Sequence, residues 1–190
     1  EAVSSTCAVV FACRYGKAIS ADGRYVCFET FEAMVPGDTN SVQDVYVRDR
    51  QTQETRRVSF QPSGAQALFT TSGVSMSRDG RFIAYGRFVT SPAPIQEIFV
   101  HDRDTDGNGV FDEAGATSTS VVVRGSAGQA ANMSLGRPLV SDDGRYVAFE
   151  TLADNLDSVV TDDNDAIDIY WTDRDTDGDG IFDEPGAVET

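Results

Sequence analysis

Two short stretches of this chain have the residue types and spacing to hold a hard cation. Residues 102–113 read DRDTDGNGVFDE and residues 173–184 read DRDTDGDGIFDE. Acids fall at alternate positions and glycines interrupt them. Ca2+ takes about six to eight oxygen ligands, and glycine permits the sharp bend that gathers them. The candidate ligands are Asp102, Asp104, Asp106, Asn108, Asp112 and Glu113 in the first stretch, and Asp173, Asp175, Asp177, Asp179, Asp183 and Glu184 in the second. Asp and Gly are also ordinary turn residues, so a solvated acidic hairpin is the competing reading. It accounts poorly for five carboxylates in one stretch and six in the other, which repel one another unless a cation intervenes.

The elements that must position these loops come from an internal repeat. SADGRYVCF (20–28), SRDGRFIAY (77–85) and SDDGRYVAF (141–149) share one template, and each is followed by a second element: DVYVRDR (44–50), EIFVHDR (97–103) and DIYWTDR (168–174). A third element, TRRVSF (55–60) or STSVVVRG (118–125), completes two of them. The apolar pattern has period two, is rich in β-branched and aromatic residues and is punctuated by Asp-Gly, which predicts strands. In the first unit, strands are expected near 17–20, 24–30, 44–49 and 55–60, with Asp-Gly forming a tight type I′ hairpin. Each unit reads as a four-stranded antiparallel meander, and no amphipathic helix stands out. The acidic stretches lie between the third and fourth strands, where the first unit has only DRQTQET (49–55).

Four-stranded sheets in series suggest propeller blades. On the three S-x-D-G-R matches the chain resembles the TolB-like propellers, built from WD-like Tol-type repeats, over residues 17–190. The resemblance implies a periplasmic or extracellular protein whose relatives are commonly six-bladed or larger and act as binding scaffolds or accessory domains of enzymes. The loops have two registers. Counted from Asp102 they resemble an EF-hand loop; counted from Asp104 they resemble the calcium loops of thrombospondin type 3 repeats. The second is preferred because it places Phe111, and Ile181 with Phe182, where packing can anchor the loop. Flanking strands argue against a helix-loop-helix EF-hand.

The expected fold class is thus all-β, a propeller-type array of about three four-stranded antiparallel blades that cannot close alone. The expected divisions are a β-type segment at 1–16, blades at 17–73, 74–134 (acidic loop 102–115) and 135–190 (acidic loop 173–186), the last without its outer strand. Residues 2–13, AVSSTCAVVFAC, are a candidate donor strand. Either the chain is a piece of a larger ring, or the N-terminal segment of one copy completes the last blade of another, giving a ring or a filament.

The net charge of −16 and the absence of any Lys/Arg run beyond Arg56-Arg57 argue against nucleic acid and anionic membrane as partners, and no apolar stretch reaches membrane-spanning length. Of the 31 acids, 11 lie in 101–113 and 172–184. A weaker pattern aligns Asp38, Asn40 and Asp44 with Asp162, Asn164 and Asp168, readable as further cation sites or as Asx-turns; the second unit has Pro92 and Pro94 there instead. The single histidine, His101, takes the repeat position of Arg48 and Thr172, so it is expected on the surface, and a histidine-based triad or zinc site is not expected. No carboxylate pair stands out as an acid and base.

Cys27 takes the place of Ala84 and Ala148 and is expected to be a buried small side chain. Cys7 and Cys13 can pair only if the chain folds back, because a straight strand would hold them roughly 20 Å apart; an intermolecular disulfide is the other option. The combined expectation is an extracellular or cell-surface, Ca2+-stabilised, non-catalytic module. Its partner would be a second copy of itself or another extracellular protein. The alternative is a fragment or accessory propeller domain of a larger secreted hydrolase or binding protein.

Overall fold

The computed structural model describes residues 17–89, 95–125, 128–157, 164 and 166–190. Within them the protein is all-β. The first sheet has the order β1 (Lys17–Ile19), β2 (Tyr25–Thr30), β3 (Asp44–Asp49), β4 (Glu54–Arg57). The second has β5 (Thr71–Met76), β6 (Phe82–Val89), β7 (Ile95–Asp102), β8 (Ser118–Val121). The third pairs β9 (Leu139–Val140), β10 (Tyr146–Thr151) and β11 (Asp168–Asp173). All neighbours are antiparallel, the meander expected from the repeat. Where the sequence reading has no outer strand, Glu189 exchanges backbone hydrogen bonds of 2.8 and 3.0 Å with Asp173. That is the place Ser118 holds opposite Asp102. Among the described residues no helix is long and apolar enough to cross a membrane.

The S-x-D-G-R template is a turn device. Ser20 Oγ donates to Asp22 at 2.6 Å and accepts the N–H of Tyr25 at 2.9 Å, while Asp22 also accepts the N–H of Arg24. Ser77 and Asp79 repeat the arrangement, as do Ser141 and Asp143. The turn is not the expected type I′. Gly23 N–H closes onto Ser20 O, and glycine has a positive φ while its aspartate does not. It is a four-residue loop (21–24) with one left-handed glycine at its third position, closed by Ser20 N–H donating to Tyr25 O at 3.0 Å, and the aspartate side chain holds the turn from inside.

The sheets pack face to face in series. Tyr25, Cys27, Val45 and Val47 of the first meet Ile83, Tyr85 and Phe99 of the second. Phe82, Ala84, Ile98 and Val100, on the opposite face of the second, meet Val147 and Phe149 of the third. The second sheet is therefore buried on both sides, which explains why β6 opens with an unbroken apolar run. Each fully buried side chain of this kind contributes about 1.5–3 kcal/mol. The successive turns are also linked: Ala21 N–H donates to Arg78 O at 2.8 Å, and Arg78 N–H to Asp142 O at 3.4 Å. Cys27 is buried and unpaired, as expected; Cys7 and Cys13 lie outside the described residues.

His101 corrects the sequence reading. It is 3% exposed, its ring lies 5.7 Å from that of Phe60, and Nδ1 is 2.9 Å from Thr119 Oγ1. The cover comes from Phe60, more than forty positions upstream in the first unit, which a repeat alignment does not reveal. Burial pushes the imidazole down to about 4 from an ordinary 6.5, with Asp112, Arg103 and Asp102 as the nearby charges. Between those two pH values the unfolded chain binds a proton that the folded chain does not. This contribution is therefore intact above pH 6.5 and is lost as the pH falls, by about 3 kcal/mol at pH 4. Replacing His101 by threonine, the residue at this repeat position in the third unit, should flatten that part of the stability profile. Denaturant midpoints of both proteins at pH 7 and pH 4.5 provide the check; parallel losses in the two would reject it.

Candidate functional site

Each acidic loop is folded by its own second buried aspartate. Asp104 accepts the N–H groups of Asn108 at 3.1 Å and Gly109 at 2.9 Å. Asp175 accepts those of Asp179 and Gly180 at 3.1 and 3.2 Å. Burial opposes ionisation of Asp104, but these donors outweigh it and its carboxyl stays below the ordinary range. Thr105 N–H to Ala116 O, and Thr176 N–H to Ala187 O, close the loops. Glycines 107, 109 and 115 and Asp112 are left-handed, and glycines 178, 180 and 186 and Asp183 repeat the pattern. The two loops thus share one backbone form.

At the centre of each loop is an arginine that is 2% exposed. Arg103 donates to both oxygens of Asp112, at 3.0 and 2.6 Å, and to Gly80 O at 2.8 Å. Its guanidinium lies 4.5 Å from the Tyr25 ring and 4.9 Å from Phe111. Arg174 does the same with both oxygens of Asp183, with Gly144 O at 2.6 Å, and with the rings of Phe82 (5.2 Å) and Phe182 (4.9 Å). Each loop therefore folds a phenylalanine and an arginine back onto an aromatic ring of the preceding sheet. Phe111 and Phe182 are the anchors the preferred register calls for, whereas Ile181 is exposed.

This accounts for several of the expected ligands. Asp102 is held by Arg81 through two 2.8 Å hydrogen bonds, and Asp173 by Arg145 through two of 2.7 Å; Asp49 and Arg24 form the counterpart in the first unit. The hydrogen bonds from Arg145 lower the pKa of Asp173. Burial works against Asp49, but Arg24 and the N–H groups of Gln51 and Thr52 prevail and bring it to about 2. Asp112 and Asp183 belong to the buried arginines. Three of the remaining candidates converge. Carboxylate oxygens of Asp175, Asp177 and Asp179 lie within 4.8 Å of one another. In the other loop Asn108 Nδ2 donates to Asp106 at 3.0 Å and to Glu113 at 2.6 Å. Glu184, like Glu113, uses its backbone carbonyl to close the loop end, accepting the N–H of Ala187.

Arg103 and Arg174 are what sequence reasoning missed. The signal was present: each island holds one cation among its acids, with an aspartate nine positions later. In the weaker pattern, Asn40 accepts the N–H of Val42 in an Asx-turn and donates to Asp44 at 2.7 Å, Ser59 donates to Asp44, and Gln66 donates to Asp38 at 3.0 Å. Asn164 makes the corresponding turn with Ala166 at 2.6 Å; Asp162 lies outside the described residues.

Fold and site together define a series of antiparallel sheets fastened face to face by buried arginines. No family model matches the sequence, and no curated protein does. Among solved structures, TolB from Acinetobacter baumannii aligns at 16% identity with a TM-score of 0.45, covering 85% of this chain and 30% of that one. A putative TolB from Agrobacterium tumefaciens aligns at 19% identity and 0.47, covering 84% and 44%. The tricorn protease aligns at 11% identity and 0.44, covering 73% and 15%. The chain spans less than half the length of each of these structures.

Proposed function

We propose that this protein is a non-catalytic, propeller-type interaction module of the cell exterior, periplasm included, stabilised by Ca2+. It associates with itself into a ring or filament, with residues 1–16 as the donor strand. The observation that carries the reading is the third sheet, whose outward face leaves Ile169 73% and Trp171 58% exposed, an apolar surface suited to a protein partner. The non-catalytic reading is supported by the burial of the single histidine and by the arginines that engage the carboxylates ending the third strands. The exterior location follows from the motif resemblance. Ca2+ is assigned to the convergent carboxylates of Asp175, Asp177 and Asp179, and to Asp104, Asp106, Asn108 and Glu113 in the other loop, where it would relieve their mutual repulsion.

Light scattering with and without a chelator tests the whole reading. Particles larger than a monomer that shrink on chelation are expected; a monodisperse monomer indifferent to chelator overturns it. For the cation alone, saturating Ca2+ at about 100 times its Kd adds roughly 2.7 kcal/mol, or about 5 °C or more in Tm for a chain of this size. Substituting Asp177→Asn together with Asp179→Asn should remove the part of the shift that the second loop contributes and leave that of the first. An unshifted wild-type Tm rejects the cation.

A further inference from the structure

We infer that the outward face of the third sheet is the seat for the first sheet of a second copy of this chain. The inference rests on the self-association reading above and names the surfaces that carry it. The protein already contains this junction twice, between the first and second sheets and between the second and third, and its two outer faces carry the complementary halves of a third instance.

Four repeat positions make the match. Tyr146 holds the place of Tyr25 and Phe82, and each of those rings lies on the turn glycine of the following unit: a Cβ on Gly80 would stand 2.7 Å from Tyr25, and one on Gly144 2.1 Å from Phe82. Among the described residues no glycine lies beneath Tyr146, which is 37% exposed. Gly23, equally left-handed at a φ of 72°, would carry a Cβ with nothing nearer than 3.7 Å, leaving room for a ring. Secondly, Arg50 donates to Gly23 O at 2.9 Å, as Arg103 does to Gly80 O and Arg174 to Gly144 O. In both internal junctions that guanidinium stacks on the preceding sheet's ring.

Thirdly, each turn's N–H donates to the next turn's carbonyl, Ala21 to Arg78 and Arg78 to Asp142; the next donor in the series is Asp142 N–H, and its counterpart is Ala21 O. Finally, Ile169 and Trp171 occupy the positions at which Ile98 and Val100 are buried against the third sheet. On the opposite outer face Ile19, 59% exposed, occupies the position at which Met76 and Val140 pack into the two cores. Unlike surfaces meet in this contact, so it is heterologous and extends to a ring or an open filament.

The experiment is sedimentation equilibrium on the full chain, with Trp171→Glu and Ile19→Glu as single variants; both positions are exposed, and an unchanged Tm confirms their folding. The wild type should grow in mass with concentration. Each variant should lose association by at least tenfold. An equimolar mixture should recover a dimer and stop there, because only one good face of each kind is present. A monomeric wild type overturns both this inference and the self-association reading. Association that survives both variants, or a mixture that yields no dimer, overturns this inference alone and places the contact elsewhere, for instance on a sheet edge.

Discussion

Replacing Arg174 by alanine should destabilise the protein by about 3–5 kcal/mol, the cost of stripping one partner from a buried, bidentate ion pair. The substitution leaves Asp183 with its carboxylate nine-tenths buried and without its guanidinium. Gly144 O loses its donor, and the space between the rings of Phe82 and Phe182 is emptied. The left-handed conformation at Asp183 becomes harder to hold as well, since its carboxylate loses both guanidinium hydrogen bonds and only its N–H on the carbonyl of residue 174 remains. Arg124→Ala is the reference: that arginine meets Glu97 at 3.2 Å with 37% of its side chain exposed, and such pairs contribute roughly 0–1 kcal/mol. Urea unfolding measures both. Hydrogen exchange adds a spatial readout, because the lesion lies between the second and third sheets: amides of β10 and β11 should lose protection while those of β2 and β3 keep theirs. Equal losses for the two variants would mean that the loops contribute nothing to holding the sheets together.

The same arginines mark where the sequence stopped being readable. The two inner strands of the first unit were legible almost to the residue, because period-two alternation and Asp-Gly punctuation are local properties, whereas the fourth strand, expected at 55–60, runs only Glu54–Arg57. The expected 24–30 and 44–49 became Tyr25–Thr30 and Asp44–Asp49. Acid spacing in the loops was legible for the same reason. What those acids touch was not, because the partner of Asp102 is Arg81, on the other side of a hairpin, and the ring under Arg174 is Phe82, in another sheet. His101 failed in the same way. Its own strand presents it as a repeat of Arg48, and the cover that makes it different arrives from Phe60 in the first unit. Local pattern set the elements, and contacts between units decided what each polar side chain does. A charge-rich loop that reads as a cation site can therefore hold both a set of convergent carboxylates and an arginine-centred fastening, using different acids for each.

Alanine at the turn glycines should produce a graded series, with Gly144→Ala costing about 2–4 kcal/mol and Gly23→Ala about 1. All three glycines have a positive φ, 72° at Gly23, 85° at Gly80 and 80° at Gly144, so each substitution carries a similar backbone penalty of about 1–2 kcal/mol. They differ in what stands over them. The nearest atom to an added Cβ is 3.7 Å away at Gly23, but 2.7 Å away on the Tyr25 ring at Gly80 and 2.1 Å away on the Phe82 ring at Gly144. Phe82 is 2% exposed and wedged between Arg174 and Phe182, so it cannot move aside without breaking the second core. Overpacking of this kind adds about 1–3 kcal/mol. A double-mutant cycle separates the two effects: in a Phe82→Leu background the extra cost of Gly144→Ala should fall toward that of Gly23→Ala, giving a coupling energy of roughly 1–2 kcal/mol. Three equal penalties with no coupling would mean that the turn's backbone alone selects glycine. A graded series would mean that each glycine is also the socket into which the preceding sheet sets its ring.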